Sequence, residues 1–417
     1  MNTSPPMGWN SWDCYGTTVT EAEVLANADY MATHLLPFGW DTIVVDIQWY
    51  EPTARAGGYN ASPPIELDAW GRQLPAPNRF PSADGAGFTH LAARVHALGL
   101  RFGLHIMRGI PRRAVELDLP VLGTDATASD IADRESTCEW NPDNYGLDHS
   151  HPAAQAWYDA QVAQFAEWGV DFIKADDMLA PYHSAEIEAY ARAIERSGRS
   201  IDLSLSPGSA LSLAHREHLG QHSTMWRVSD DLWDRWEDVA AQFRRMARWA
   251  PHSEPGAWAD ADMLPLGRIG IRAERGEDRL SRLTADEQQS LMTLWCISRS
   301  PLMFGGDLPS TPPETLALLS NADVLAMHRS STAQGELFAE DDTVVWSSTA
   351  TDRHADYIAV FNTASAARSI RLPLTSLGLG KAGSVARDLW TGEEVTATGG
   401  LRLDVTGHGS RLLRFDH

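Results

Sequence analysis

Short apolar runs suited to strands alternate with helix-patterned stretches over about the first three quarters of this 417-residue chain, and few folds accept such an order. Candidate strands cover residues 7–12, 42–49, 101–107, 171–176, 201–206, 224–228, 256–260 and 301–304. Between them lie helical patterns at 21–36, 87–98, 153–168, 185–196, 233–249 and 285–297. Thr20 and Glu23 stand at capping-box spacing ahead of the first helix. Residues 42–46 and 171–174 are mostly apolar, as parallel strands covered on both faces must be. About eight β-then-α units predict an α/β fold, a (β/α)8 TIM barrel. An open doubly wound sheet is the competing reading, but no GxGxxG follows the first strand.

From residue 337 or so onward the pattern changes. Short alternating runs at 343–347, 357–361, 369–372, 384–388, 400–405 and 411–415 are separated by turn residues, and no helical period interrupts them. They predict a C-terminal antiparallel β-sandwich domain. The stretch DLPSTPP at 307–313 suggests a barrel over residues 1–310 and a sandwich over 311–417. The Gly-, Pro- and Ala-rich segment 51–84 is too long for an ordinary βα connection. It is expected to lie over the strand ends, where barrels place their active sites.

A formal charge of −22 argues against nucleic-acid and anionic-membrane partners and leaves neutral ligands such as sugars open. Sixteen tryptophans suit a site that stacks on sugar faces, although a large core absorbs most of them. Cys14, Cys138 and Cys296 are odd in number and far apart, which excludes a complete disulfide framework. No CxxC occurs and no His/Cys cluster stands at zinc spacing, so neither a metal nor another cofactor is expected. The opening MNTSPPMGWNSW lacks the basic and apolar regions of a secretion signal, and no apolar run is long enough to cross a bilayer. The expectation is a cytoplasmic protein; a homo-oligomer is compatible with this composition.

In a barrel the C-terminal strand ends face the active site. Those ends carry Trp12, then Asp46, Ile47, Gln48 and Trp49, then His105 and Arg108. Lys174, Asp176 and Asp177 follow on the fourth strand, Ser206 on the fifth, Arg227 to Asp231 on the sixth, and Asp260 and Asp262 on the seventh. A single Asp at a strand end more often caps a helix or completes a salt bridge than reacts, which is the expectation for Asp177 and Asp234. His105 alone would read as a hydrogen-bonded core histidine. Convergence of five strand ends is what points to chemistry. Paired carboxyls with aromatic platforms and few cations are what glycoside hydrolysis requires. The DDxxD at 230–234 would suit magnesium–diphosphate chemistry only in an all-helical surround, and no GxxxxGK[ST] phosphate loop occurs.

PPMGWNSW, FIKADD, WRVSDDLWD, WADADML and SPLMFGGDL, in this order and at barrel-compatible spacing, resemble the motifs of glycoside hydrolase family 27, the α-galactosidase clan. The resemblance covers essentially the whole chain. It implies Asp176 as nucleophile and Asp231 as acid/base of a retaining mechanism. It also implies Trp12 as the wall beneath the sugar, Lys174 on ring hydroxyls and Asp46 on the axial 4-hydroxyl. Arg227 and Ser206 would sit near the 2-hydroxyl, and Asp262 with Met263 near the reacting centre. The chemistry agrees. Lys174 and Asp176, two apart on a strand, point to one face, so the cation would keep Asp176 ionised. Asp231 must instead hold a proton to act as an acid.

Four positions depart from the family pattern. His105 stands where tyrosine is usual, Met178 replaces a disulfide cysteine, and Ser206 aligns with a glutamate. The fourth decides the substrate: Ile47 replaces the second of two aspartates, the one that accepts a hydrogen bond from the galactose 6-hydroxyl. β-L-Arabinopyranose matches α-D-galactopyranose at every other centre but has no C6. The resemblance therefore narrows to the β-L-arabinopyranosidase-like branch, with an α-galactosidase of relaxed C6 recognition as the alternative and a non-catalytic carbohydrate-binding barrel as a remote one.

Overall fold

The structure, a computed structural model, describes residues 4–379 and 385–417. Its eight barrel strands are β1 (Met7–Asn10), β2 (Thr42–Val45), β3 (Arg101–Met107), β4 (Phe172–Asp176), β5 (Asp202–Leu205), β6 (Met225–Arg227), β7 (Trp258–Asp260) and β8 (Leu302–Phe304). They form one parallel sheet in the order β7-β6-β5-β4-β3-β2-β1-β8. The sheet curls until Leu264, just beyond β7, makes a parallel bridge with Phe304 of β8. Two backbone hydrogen bonds close that seam, Leu264 N–H to the Met303 carbonyl (2.8 Å) and Gly305 N–H to the Leu264 carbonyl (3.0 Å). Gly8 is a necessity of this packing, since a Cβ there would lie 2.4 Å from the Thr42 carbonyl oxygen on β2.

β1 and β2 stop earlier than their apolar runs because the chain leaves the sheet to present side chains at the mouth. β2 ends at Val45, and Asp46 N–H then bonds to Ser11 Oγ (2.9 Å) instead of continuing the ladder. The main helices are α1 (Glu21–His34), α2 (Thr89–Ala97), α3 (Ala153–Trp168), α4 (Ser184–Ser197), α5 (Arg216–His222), α6 (Trp236–Trp249), α7 (Ala285–Ser298), α8 (Pro313–Leu319) and α9 (Ala322–Arg329). The Thr20–Glu23 capping box forms as its spacing implies. α3 ends on Gly169 in the left-handed region (φ 87°), the usual glycine stop. α5 has no readable period because Leu219 is its one buried residue.

Eight further strands form the C-terminal unit: β9 (Ser331–Glu340), β10 (Thr343–Ala350), β11 (Ala355–Asn362), β12 (Arg368–Leu372), β13 (Val385–Asp388), β14 (Glu394–Thr396), β15 (Leu401–Val405) and β16 (Ser410–Asp416). All pairings are antiparallel, in a six-stranded sheet β9-β10-β11-β16-β13-β14 facing the pair β12-β15. Ser384, part of the expected fourth run, lies outside the described residues. β9 escaped the sequence pattern because register shifts at Thr332/Gly335 and Glu336/Phe338 break its alternation.

Period-two alternation lets β10 and β11 serve two cores at once. Val345, Ile358 and Val360 point into the sandwich against Ile370, Leu372, Leu403 and Leu413. Val344, Trp346 and Phe361 point the other way and join the apolar mass of the barrel. α7 lies at this junction. Its Ser290 hydroxyl donates to the His408 carbonyl (2.6 Å), its Gln289 amide to the Ser410 carbonyl (3.0 Å), and its Thr293 Oγ1 accepts from Trp390 Nε1 (2.9 Å). All three cysteines are unpaired and buried. Among the described residues no helix is long and apolar enough to cross a membrane.

Trp346 is wholly buried at the junction. Trp346→Ala should therefore lower the free energy of unfolding by about 3–5 kcal/mol, read as a lower urea midpoint. An unchanged midpoint would mean that barrel and sandwich are not energetically joined.

Candidate active site

Side chains at alternate positions of each barrel strand point inward, and the last of them build the site. On β4 these are Phe172, Lys174 and Asp176. Lys174 Nζ donates to Asp46 Oδ2 at 2.8 Å, and Asn10 Nδ2 donates to the same oxygen at 2.8 Å. Ile47 N–H holds the other Asp46 oxygen (2.8 Å). Burial alone would raise the Asp46 pKa, but Lys174, His105 and these donors outweigh it and hold the carboxyl below its ordinary range. Burial would likewise lower Lys174, yet Asp46 and Asp176 raise it, so it stays a cation.

Asp176 accepts from His105 Nε2 (3.0 Å) and from Asp177 N–H (2.9 Å). Burial opposes its ionisation. The hydrogen bond and charge of His105, then Lys174, then the Asp177 amide overcome that, and Asp176 is held well below the ordinary carboxylate range. A permanently ionised carboxylate is what a nucleophile needs. Asp231 lies beyond β6 with 40 % of its side chain exposed, and Arg227 Nη2 meets its Oδ1 at 3.0 Å. The other arm of Arg227 meets Asp262 Oδ1 at 3.2 Å, and Asp262 Oδ2 accepts Leu232 N–H at 2.7 Å. Burial and Asp262 push Asp260 up to about 7. Burial, Asp262 and Asp231 push Asp13, behind Trp12, well above the carboxylate range.

Three non-glycine residues at these strand ends adopt left-handed backbone, Gln48 (φ 63°), Asp177 (φ 60°) and Asp262 (φ 85°). Each is pinned by its side chain: Gln48 to Asp143 (3.0 Å), Asp177 to Arg108 (2.8 Å) and Asp262 to Arg227. Such conformations persist where surrounding contacts over-determine them, and they cluster at functional sites.

A cavity of about 390 Å3 opens above these groups, within the range of small-molecule sites. It brings together Trp12, Asp46, Ile47, His105, Lys174, Asp176 and Asp231 from the sequence reading. Arg227, Asp262 and Met263 sit deeper, around a second small space inside the barrel that Lys174 and Asn10 also border. Ser206 is fully buried and lines neither space, while Pro207 after it lines the main cavity. Asp177 and Asp234 are salt-bridge partners, of Arg108 and Arg279 respectively. Trp49, expected at the mouth, turns outward instead. It packs edge-on against Tyr50, Phe88 and Trp168, and its Nε1 donates to the His105 carbonyl (2.7 Å). Strand ends twist out of the sheet here, so alternation no longer decides which face a side chain takes.

The sequence reading missed Tyr59, Trp140, Pro207, Glu274 and Arg275 in the cavity wall, which Asp230 of the expected sixth strand end also lines. Tyr59 comes from the 51–84 excursion; its ring is parallel to Trp12 within 9°, centroids 6.5 Å apart. Trp140 comes from a second excursion between β3 and β4 and meets Tyr59 at 5.9 Å. No spacing rule marks such loop residues. Asn10 was missed as well, although it stands two residues before Trp12 and so on the same face of the strand expected at 7–12. No metal-ligating trio lines the cleft among the described residues.

Residues 143–330 match the family described as alpha galactosidase A, and residues 340–415 match the alpha galactosidase C-terminal beta sandwich domain. A GH27 β-L-arabinopyranosidase from Geobacillus stearothermophilus, whose structure is also known for a variant in complex with arabinose, is 47% identical with a TM-score of 0.97. The match covers 100% of this chain and 97% of that one. A Bacillus halodurans protein ascribed α-N-acetylgalactosaminidase activity is 42% identical (TM-score 0.88, covering 99% and 97%). The rice α-galactosidase is 27% identical across 99% of this chain and 84% of its own length.

A nucleophile works only while ionised, so activity falls as pH drops through its pKa. His105→Phe removes the largest influence that lowers the Asp176 pKa. The acidic limb of kcat/KM for an aryl glycoside should then move to higher pH, by about one unit. A limb that stays in place would assign the effect to Lys174 and the Asp177 amide instead.

Proposed function

The chain belongs to glycoside hydrolase family 27, and on that premise we propose that it releases terminal β-L-arabinopyranose with retention of anomeric configuration. The Asp176 carboxylate attacks the anomeric carbon while Asp231 gives its proton to the departing glycosidic oxygen. The covalent glycosyl-aspartate forms as that C–O bond breaks. Asp231, now a base, takes a proton from water, whose oxygen displaces Asp176 and restores both groups. Lys174 and Asp46 would hold ring hydroxyls, and Trp12 would face the apolar side of the ring. Asp262 would act through Arg227, which reaches toward Asp231. The contacts of Asp176 support the nucleophile role, and its place with Asp231 on one cavity supports the pairing.

The observation that carries the sugar choice is Ile47. It lines the cavity beside Asp46, is 2% exposed, and packs in one apolar cluster with Trp12, Cys138 and Met263. A galactoside would press its 6-hydroxyl against methyl groups or turn it toward another acceptor. Leaving that hydroxyl unpaired costs about 1–3 kcal/mol, and the arabinoside has no such group. The arabinopyranosidase identity of the 47% relative supports the same choice.

Aryl β-L-arabinopyranoside, α-galactoside and α-N-acetylgalactosaminide compared side by side test this reading, and the arabinoside should have the highest kcat/KM. Ile47→Asp should raise galactoside kcat/KM by about one to two orders of magnitude and lower arabinoside turnover. A wild-type preference for either galactose-configured substrate would sink the arabinose assignment, as would an Ile47→Asp ratio equal to wild type.

Asp176→Ala should abolish turnover, and NMR of the first-formed sugar should show the substrate's own anomer. Retaining enzymes set their carboxyls about 5–5.5 Å apart and inverting ones roughly 6.5–9.5 Å apart. An inverted first product would reject the mechanism while leaving the sugar preference standing.

A further inference from the structure

We propose that Glu188 of α4 with His218 and His222 of α5 forms a zinc site on the outer face of the barrel, separate from the catalytic cleft. One ligand atom of each lies within 4.8 Å of the others. His218 and His222 stand four apart on one helix, the spacing that turns two imidazoles to the same side. Their ring centroids are 4.6 Å apart. Two imidazoles and one carboxylate are a donor set that zinc favours and that magnesium and calcium do not.

The local geometry suits an ion. His218 Nε2 and Glu188 Oε1 are 3.3 Å apart. A tetrahedral zinc with bonds of roughly 2.0–2.1 Å spaces its ligand atoms about 3.3–3.4 Å apart. Tyr182 Oη meets His218 Nδ1 at 2.6 Å, which orients the ring and turns Nε2 toward Glu188. Metal-bound histidines characteristically have such a second partner. Arg192 Nη1 engages the other Glu188 oxygen at 3.1 Å and leaves Oε1 to the site. A fourth position stays open to water.

The consequence is mechanical. α4 follows the strand that ends in Asp176, and α5 leads into the strand that carries Arg227. An ion between them staples the helices behind both halves of the catalytic pair. It touches no residue of the cleft, so hydrolysis itself does not need it. Reading the sequence alone gave no zinc expectation, because the third ligand lies 30 residues before His218.

Chelator-treated enzyme titrated with Co2+ should take up one ion per chain, with the visible absorption of a tetrahedral site that Zn2+ then displaces. Zinc at a hundredfold excess over its dissociation constant should raise Tm by on the order of 3 °C. Mg2+ should do neither. His222→Ala and Glu188→Gln should each lose the absorption and the Tm rise while keeping wild-type kcat. Absence of both signals in the wild type, or cobalt spectra that persist unchanged in both variants, would overturn the site.

Discussion

The buried pair of Lys174 and Asp46 is the contact on which the rest of the cleft depends. It joins β4 to β2 across the intervening β3, at 2.8 Å, inside the mouth of the barrel. Taking two charges from water is costly, and a pair with few other partners returns little of that cost. Here Asn10 and the Ile47 amide complete the Asp46 carboxylate, while Asp176 adds a second negative neighbour for Lys174. One cation therefore sets the charge of two carboxylates. In the proposed mechanism the first would face a sugar hydroxyl and the second the anomeric carbon.

Arg227 is the counterpart on the opposite side. It divides its guanidinium between Asp231 and Asp262, and the negative neighbours Asp262, Asp231, Asp260 and Asp176 together raise its pKa against the effect of burial. The two carboxyls of the proposed mechanism thus live differently. Asp176 is enclosed and held by a histidine and a backbone amide, and Asp231 is partly open to solvent on a segment fastened through Asp262. An enclosed anion and an accessible acid suit a nucleophile and a group that must exchange protons with leaving group and water.

Specificity at C6 requires little of the scaffold. Ile47 extends an apolar cluster that already runs from Trp12 and Cys138 down to Phe172, Met225 and Trp258 inside the barrel. A carboxylate at that position would interrupt this cluster and need its own partner. On the proposed reading, the sugar this chain favours would turn on that one side chain beside Asp46.

Much of this was legible in the sequence, for a physical reason. Strand and helix periods report local backbone geometry, so the barrel order, the capping box at Thr20 and the shared face of Lys174 and Asp176 follow from spacing alone. The Asp46-Ile47 pair, read through its family resemblance, already supplied the basis of the proposed sugar choice. Tertiary structure alone decided that Trp49 packs outward under His105, that Ser206 borders neither cavity, and that Tyr59 and Trp140 come from two distant excursions to face Trp12. It also brought Glu188 to His218 and His222. Those placements depend on where long connections land on a closed barrel, and no period within a connection encodes the position of the residue it will meet.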